Sequence, residues 1–256
     1  MVFINSLEPA LFSIGPFSLR WYGLLYALGV FFVYWYARNE ITQGRFRTTL
    51  DKFDTGFFWI VVAMVLGARL FEVLFYNPGY YFANPVKILF IWEGGLSFHG
   101  GLLGAMFAAW LWCRREKVPF LHLADILIVP AALAQAFGRL GNFFNQELVG
   151  KPWNGPWAFI YTKVDEVPRH PVQLYEILYN VIIFIILWTQ RKKGLPTGSL
   201  FALFLLLYGA FRFVTEFFKV PEVFFAGLAL GQWLSIVMVV VGVWLWFKVR
   251  RAPVPI

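Results

Sequence analysis

Seven stretches of this 256-residue chain approach the length of apolar sequence, roughly 20 residues, that a helix needs to cross the hydrocarbon core of a bilayer. They run over about 20–38, 55–76, 95–113, 121–138, 173–190, 198–218 and 226–248. The second, sixth and seventh are the cleanest. The fourth is interrupted by Pro130, Gln135, Gly138 and Arg139, and such interruptions are tolerated only where the backbone is buried in protein or lines a cavity. The pattern predicts an all-α, polytopic integral membrane protein with seven transmembrane helices. The connection at 139–172 holds Trp153, Gly155, Pro156, Trp157 and Pro168 and reads as a loop with turns. No internal repeat is visible, so residues 1–256 are expected to form a single membrane-embedded domain.

Charge placement orients these spans. Basic residues gather at 38–52, 114–117, 191–193 and 248–251, and these clusters share one side if seven spans alternate. The other side keeps Arg20, Lys87, Lys151, Lys163, Arg169 and Lys219, with Arg139 at its edge. Cytoplasmic loops are enriched in Lys and Arg. The N-terminus is therefore expected outside, on the periplasmic face, and the C-terminus in the cytoplasm. Six or eight spans would divide the clusters between both sides.

Composition supports a bilayer as the solvent. Sixty per cent of the residues are hydrophobic and 14% charged, against about half and a quarter in a soluble domain. The 12 Trp and 11 Tyr fit membrane interfaces, where an apolar ring and a polar tip meet different solvents. The formal charge of +8 does not point to nucleic acid, because the cations sit in short clusters between apolar runs. No removable signal peptide is expected at the N-terminus. Cys113, the one cysteine, excludes a disulfide framework and reads as a small apolar residue at a helix end.

Charged residues within spans are costly, so they face a cavity or a partner. In Gly67-Ala68-Arg69-Leu70-Phe71-Glu72, Arg69 and Glu72 lie three apart on one helix face and fit an ion pair, structural or functional. Around His99, glycines at 94, 95, 100 and 101 let backbone or substrate approach closely. A histidine there suits a general base. Gly138 to Gly150 packs Arg139, Asn142, Asn145, Gln146 and Glu147 beside a membrane face. Arg presents a donor fork suited to phosphate, and Asn adds neutral donors. Tyr208, Arg212 and Glu216 recur every four residues, so Glu216 can hold Arg212 while Arg212 still offers donors to a ligand. The segment from Pro168 to Glu176 fixes His170 between prolines and reads either as a gating loop or as a rigid start to the fifth span, the latter preferred. His99, His122 and His170 are scattered, so no metal and no cofactor is expected.

Together these blocks resemble the prolipoprotein diacylglyceryl transferase family. The resemblance runs through Arg20 to Leu24, Arg69 to Asn77, Gly94 to Gly104, Gly138 to Gly150, Arg169 to Glu176, Tyr208 to Phe217 and Gly231-Gln232, in family order. The Gly-Arg-Leu-Gly-Asn-Phe-Phe-Asn-Gln-Glu stretch from Gly138 carries it most specifically. The loop between Gly150 and Arg169 is short beside many relatives, which bears on substrate access but touches no motif. The resemblance implies a bacterial inner-membrane enzyme with an outward-facing site. It would move a diacylglyceryl group from phosphatidylglycerol to the lipobox cysteine thiol of a prelipoprotein signal peptide, releasing glycerol phosphate. It also implies that Arg139 contacts the lipid headgroup and that Arg212 is a second essential arginine. His99, Asn142, Glu147, Gly150, Tyr22, Tyr208 and Glu216 fall on family motif positions.

On that basis Arg139, Arg212 and Asn142 stabilise the departing phosphate. Tyr22 and Gly150 complete the phosphatidylglycerol site, and Tyr208 joins the catalytic set. His99 takes the thiol proton, while Glu147 or Glu216 orients an arginine, since a carboxylate beside Arg stays ionised. Arg69 is assigned to a structural pair with Glu72. Two rival functions remain: a phospholipid transporter or scramblase, which would favour broken helices in matching halves, and an assembly subunit glued by buried ion pairs. The first lacks a second copy of the fourth-span pattern. The second leaves the glycines around His99 unexplained.

Overall fold

The computed structural model describes residues 2–14, 17–46, 48–221 and 223–251. Arg47, one of the basic residues used to orient the spans, lies outside them. Eight α-helices carry the described residues: α1 (Trp21–Thr42), α2 (Leu50–Phe71), the short α3 (Pro78–Ala83), α4 (Phe98–Glu116), α5 (Phe120–Asn145), α6 (Val172–Gln190), α7 (Ser199–Thr215) and α8 (Leu230–Arg251). A π-helical turn extends α2 to Tyr76, and a 3-10 turn extends α7 to Phe218. Five helical segments are long and apolar enough to cross a membrane: Leu50–Tyr76, Phe120–Asn145, Val172–Gln190, Ser199–Phe218 and Leu230–Arg251. The protein is therefore a multi-pass, predominantly helical membrane protein. Helices α1 and α4 coincide with the first and third predicted segments, but their ends are more polar. Arg38, Asn39 and Glu40 close α1, and Arg114, Arg115 and Glu116 close α4.

Two expectations about the secondary structure need correction. The fourth segment is not broken, because α5 runs through Pro130 and continues to Asn145. Arg139 and Asn142 therefore sit on a helix and not in a loop. Proline costs a helix one hydrogen bond and crowds the preceding turn; here the surrounding packing, with Pro130 fully buried, holds the helix together. The helical class also carries short strands that the apolar pattern does not show. Strands β1 (Phe3–Asn5) and β4 (Phe159–Tyr161) pair in parallel, so the 139–172 connection is partly ordered as sheet. The antiparallel pairs are β2 (Ala10–Ile14) with β3 (Phe17–Arg20) and β5 (Phe224–Phe225) with β6 (Leu228–Ala229).

The chain divides into two compact units, residues 1–36 with 124–256 and residues 37–123. In the second, α2 packs on α4 backbone to backbone. A Cβ on Gly100 would run into the Gly67 carbonyl oxygen, and one on Gly104 would run into that of Ala63. Gly100 and Gly104 form a GxxxG pair facing Ala63 and Gly67, the small-residue device by which membrane helices gain contact where lipid offers no hydrophobic drive. The glycines after His99 thus serve close approach of backbone.

Arg69 does not pair with Glu72, contrary to the sequence expectation. Its guanidinium donates to the carbonyl oxygens of Lys87, Ile88, Gly94 and Gly95 and to the Tyr81 hydroxyl at 2.5–3.0 Å. The Glu72 carboxylate accepts instead from Asn77 Nδ2 at 2.6 Å. The reason is local. The segment 85–95 folds into short 3-10 turns that leave carbonyl lone pairs unfilled, and five guanidinium donors satisfy several at once. Gly94 and Gly95 adopt φ of 97° and 72°, which turns their carbonyls toward the arginine at little steric cost.

In the first unit, α7 and α8 approach closely at Gly209 and Gly242, and α1 meets α5 where Gly29 faces Ala134. Asp125 on α5 accepts from the backbone N–H groups of Gly198 and Phe201 at 2.6 and 2.8 Å. It therefore caps α7 from another helix.

Replacing Gly104 by Val should lower the thermal midpoint of the detergent-solubilised protein, by roughly 1–3 kcal/mol of overpacking strain. An unchanged midpoint would show that α2 and α4 can move apart freely.

Candidate active site at the ends of four helices

The first unit brings ionisable side chains from α5, α6 and α7 onto one buried carboxylate. Glu176 lies in the second turn of α6, and its side chain is 1% exposed. Arg139 Nε lies 2.8 Å from its Oε2. Arg212 Nη1 pairs with its Oε1, while Arg212 Nη2 pairs with Glu216. Lys219 Nζ stands 3.6 Å from Glu176 and 3.8 Å from Glu216. An unpaired carboxylate or guanidinium at this depth would carry a large desolvation cost. Each of these charges has an opposite neighbour, and Arg212 occupies the last turn of α7, where the helix dipole favours a cation.

Neutral donors surround this core. Arg139 Nη1 donates to Asn142 Oδ1 at 3.3 Å, and Asn142 Nδ2 donates to Glu147 Oε2 at 3.3 Å. The three-residue spacing of Arg139 and Asn142 gives them one helix face, which the continuous α5 makes possible. Tyr208 lies one turn before Arg212 on α7, close enough to Arg139 to interact with it electrostatically. Tyr179 stacks on Phe211 with ring centroids 5.6 Å apart, and its buried hydroxyl has no partner among the described residues. Tyr22 at the start of α1 packs on Gly141, where a Cβ would lie 2.8 Å from its ring. Gly231 lets α8 pass directly over Glu216, since a Cβ there would come within 2.6 Å of the carboxylate carbon.

Flanking structure is also polar and tied down. Gln146, at φ 59°, donates to the Leu7 carbonyl at 3.1 Å and accepts from Lys163 N at 2.9 Å. Gln173 donates to the Glu147 carbonyl at 2.6 Å and accepts from Tyr161 Oη at 2.9 Å. These amides are structural. His170 stacks on Trp153 with centroids 4.3 Å apart, and its Nδ1 lies 3.1 Å from Tyr175 Oη. Burial, with Lys151 nearby, holds the His170 imidazolium below the usual histidine range. That aromatic setting accords with a rigid segment leading into α6.

Of the sequence-predicted residues, Arg139, Asn142, Glu147, Tyr208, Arg212 and Glu216 come together, with Tyr22 and Gly150 beside them. Glu216 does hold Arg212, as its spacing predicts. Glu147 is exposed and reaches the core through Asn142. His99 belongs to the other unit. It lies in the first turn of α4 behind the N-cap Ser97, exposed, with Nδ1 3.2 Å from Tyr76 Oη. Among the described residues no group of three or more His, Cys, Asp or Glu side chains is arranged to hold a metal ion.

Sequence reasoning misses Glu176, whose position near the start of its span suits a capping acid. The cost that singles out the arginines applies equally to it, since it too stands in an apolar run. Lys219 reads from sequence as a loop cation, because it follows Phe217-Phe218 and precedes Pro221.

Comparison with known proteins covers nearly the whole chain. The family model described as prolipoprotein diacylglyceryl transferase matches residues 9–248. The phosphatidylglycerol–prolipoprotein diacylglyceryl transferase of Bordetella parapertussis is 42% identical over 254 residues, 96% of this chain and 97% of that protein. Its counterpart in a Janthinobacterium species is 43% identical over 246 residues, 92% of this chain and 93% of the relative. That of Nitratidesulfovibrio vulgaris strain DP4 is 40% identical over 253 residues, 96% and 95% of the two chains. The chain belongs to the prolipoprotein diacylglyceryl transferase family.

Proposed function

We propose that this protein transfers the diacylglyceryl group of phosphatidylglycerol to the lipobox cysteine thiol of a prelipoprotein signal peptide, the first step of bacterial lipoprotein maturation. A carbon–sulfur bond forms at the glyceryl carbon, and the bond from that carbon to the phosphate oxygen breaks. The oxygen leaves with the electron pair as glycerol phosphate, and the thiol proton passes to a base. The observation that carries this reading is the convergence of Arg139 and Arg212 on Glu176 within the membrane-spanning helices of a chain that matches the family over residues 9–248.

In this reading both guanidinium groups bind the headgroup phosphate and stabilise the charge that develops as it leaves, in a poorly hydrated site where fixed donors act strongly. Asn142 adds a neutral donor, Tyr208 steadies Arg139, and Glu176 with Glu216 holds the arginines in place. Glu147 orients Asn142. Tyr22 and Gly150 border the lipid site. His99 accepts the thiol proton, because a free thiol has a pKa near 8.5 and is mostly protonated at neutral pH. Helices α1 and α4 cross the bilayer with the five more apolar segments, making seven spans, with the N-terminus periplasmic and the C-terminus cytoplasmic in a bacterial inner membrane. Both compact units belong to one membrane-embedded domain, a reading supported by the single family model that spans them.

Purified protein incubated with phosphatidylglycerol and a labelled lipobox peptide should yield thioether and glycerol phosphate one for one. Lipid movement between leaflets without thioether would instead indicate a transporter. Arg139→Lys should lose most transfer despite keeping its charge, because the planar two-pronged donor is gone; near-parental transfer would remove Arg139 from the phosphate site. His99→Gln should recover activity at high pH, where the thiol ionises unaided, and a pH profile parallel to the parent's would reassign His99 to packing. Glu176→Gln should cost roughly 3–5 kcal/mol of folded stability by stranding buried cations. Glu93→Gln, which breaks the surface pair with Lys87, should leave the melting midpoint in place.

A further inference from the structure

Counting charge in the buried cluster leaves a remainder. Arg139, Arg212 and Lys219 contribute three positive charges, and Glu176 and Glu216 contribute two negative ones. The arginines are engaged with the carboxylates at close range. Lys219 Nζ is held more loosely: at 3.6 and 3.8 Å it pairs with both carboxylates beyond the length of a normal hydrogen bond. The residue is nonetheless 8% exposed. Burial pushes its ammonium below the ordinary lysine range, with Glu176 opposing that shift.

The backbone aims this lysine. Gly150 and Lys219 form an isolated antiparallel bridge. Beside it Lys151 N donates to the Phe218 carbonyl at 2.8 Å, and Lys151 Nζ to that of Phe217 at 2.9 Å. A Cβ on Gly150 would run into the His170 carbonyl oxygen and lie 3.0 Å from that of Phe218. Only glycine fits this close crossing, so Gly150 fixes the backbone that carries Lys219.

We infer that Lys219 leaves the arginine site with one uncompensated positive charge, which makes it selective for a monoanionic phosphodiester headgroup over a zwitterionic one. The inference rests on the transferase reading and adds a residue that tunes lipid choice. A phosphatidylglycerol headgroup carries one negative charge and neutralises the remainder. A phosphatidylethanolamine headgroup brings an ammonium of its own and leaves the remainder in place. Lysine suits this role because its ammonium is a compact charge that need not lock onto a carboxylate as a guanidinium fork does.

The test compares phosphatidylglycerol KM, and inhibition by phosphatidylethanolamine, across variants reconstituted in phosphatidylcholine nanodiscs. Lys219→Met should raise the KM about tenfold, the equivalent of a modest charge interaction, with a smaller change in kcat and weaker discrimination against phosphatidylethanolamine. Lys219→Arg should keep the parental preference. Lys219→Met combined with Glu216→Gln restores the +1 balance and should recover preference relative to Lys219→Met alone. A structural salt bridge predicts the reverse, with the double variant no better than the single; that outcome, or unchanged discrimination in Lys219→Met, overturns the inference. If Lys219→Met does not fold, adding Glu216→Gln to Lys219→Arg decides the same question. The net charge then rises to +2, and preference for the anionic lipid must strengthen. Native mass spectrometry of retained lipid reads the headgroup preference without catalysis. A parent that makes no thioether yet retains phosphatidylglycerol selectively, with loss in Lys219→Met, therefore overturns the transferase reading and upholds Lys219.

Discussion

The arrangement of the first unit depends on the Glu176 carboxylate, buried near one end of α6 and shared by Arg139, Arg212 and Lys219. A carboxylate there is tolerable only with cations around it, and the cations are tolerable only with the carboxylate. This mutual dependence ties α5, α6 and α7 together at one end. The result is a set of guanidinium donors fixed before any ligand arrives, the condition under which electrostatic stabilisation of a leaving phosphate is most effective. The buried hydroxyl of Tyr179 and the amide of Asn142 sit in the same polar region.

Close backbone approach makes this concentration of charge possible. Gly231 admits α8 over Glu216, Gly141 admits Tyr22 against α5, and Gly150 admits the crossing that aims Lys219. In the second unit Gly67, Gly100 and Gly104 bring α2 and α4 into contact, while Arg69 gathers the carbonyls of 87–95. Both units rely on the same device. Apolar contact drives little between helices in lipid, so small residues and satisfied polar groups do the joining.

Much of the fold was legible in the chain because membrane insertion imposes a length and a polarity on every span. All seven apolar stretches became helices. The Tyr208, Arg212, Glu216 spacing foretold an ion pair within α7, since positions four apart on a helix must be neighbours. Local periodicity failed where partners came from elsewhere. Arg69 and Glu72 had the right spacing, yet the arginine turned to carbonyls of a later segment and the glutamate to Asn77. Pro130 marked a break that packing overrode.

The sequence by itself determined a helical membrane protein with costly polar residues at a few depths, because the cost of burying charge depends only on residue type and span. Which charges met which was decided by tertiary structure. Glu176 is separated from Arg139 by 37 residues and from Arg212 by 36, and no short-range rule relates them. Their meeting depends on the relative rotation and depth of three helices, set by packing at glycines and by the Asp125 cap on α7. Ion pairing across helices is a property of that packing, so it appears only once the helices are placed.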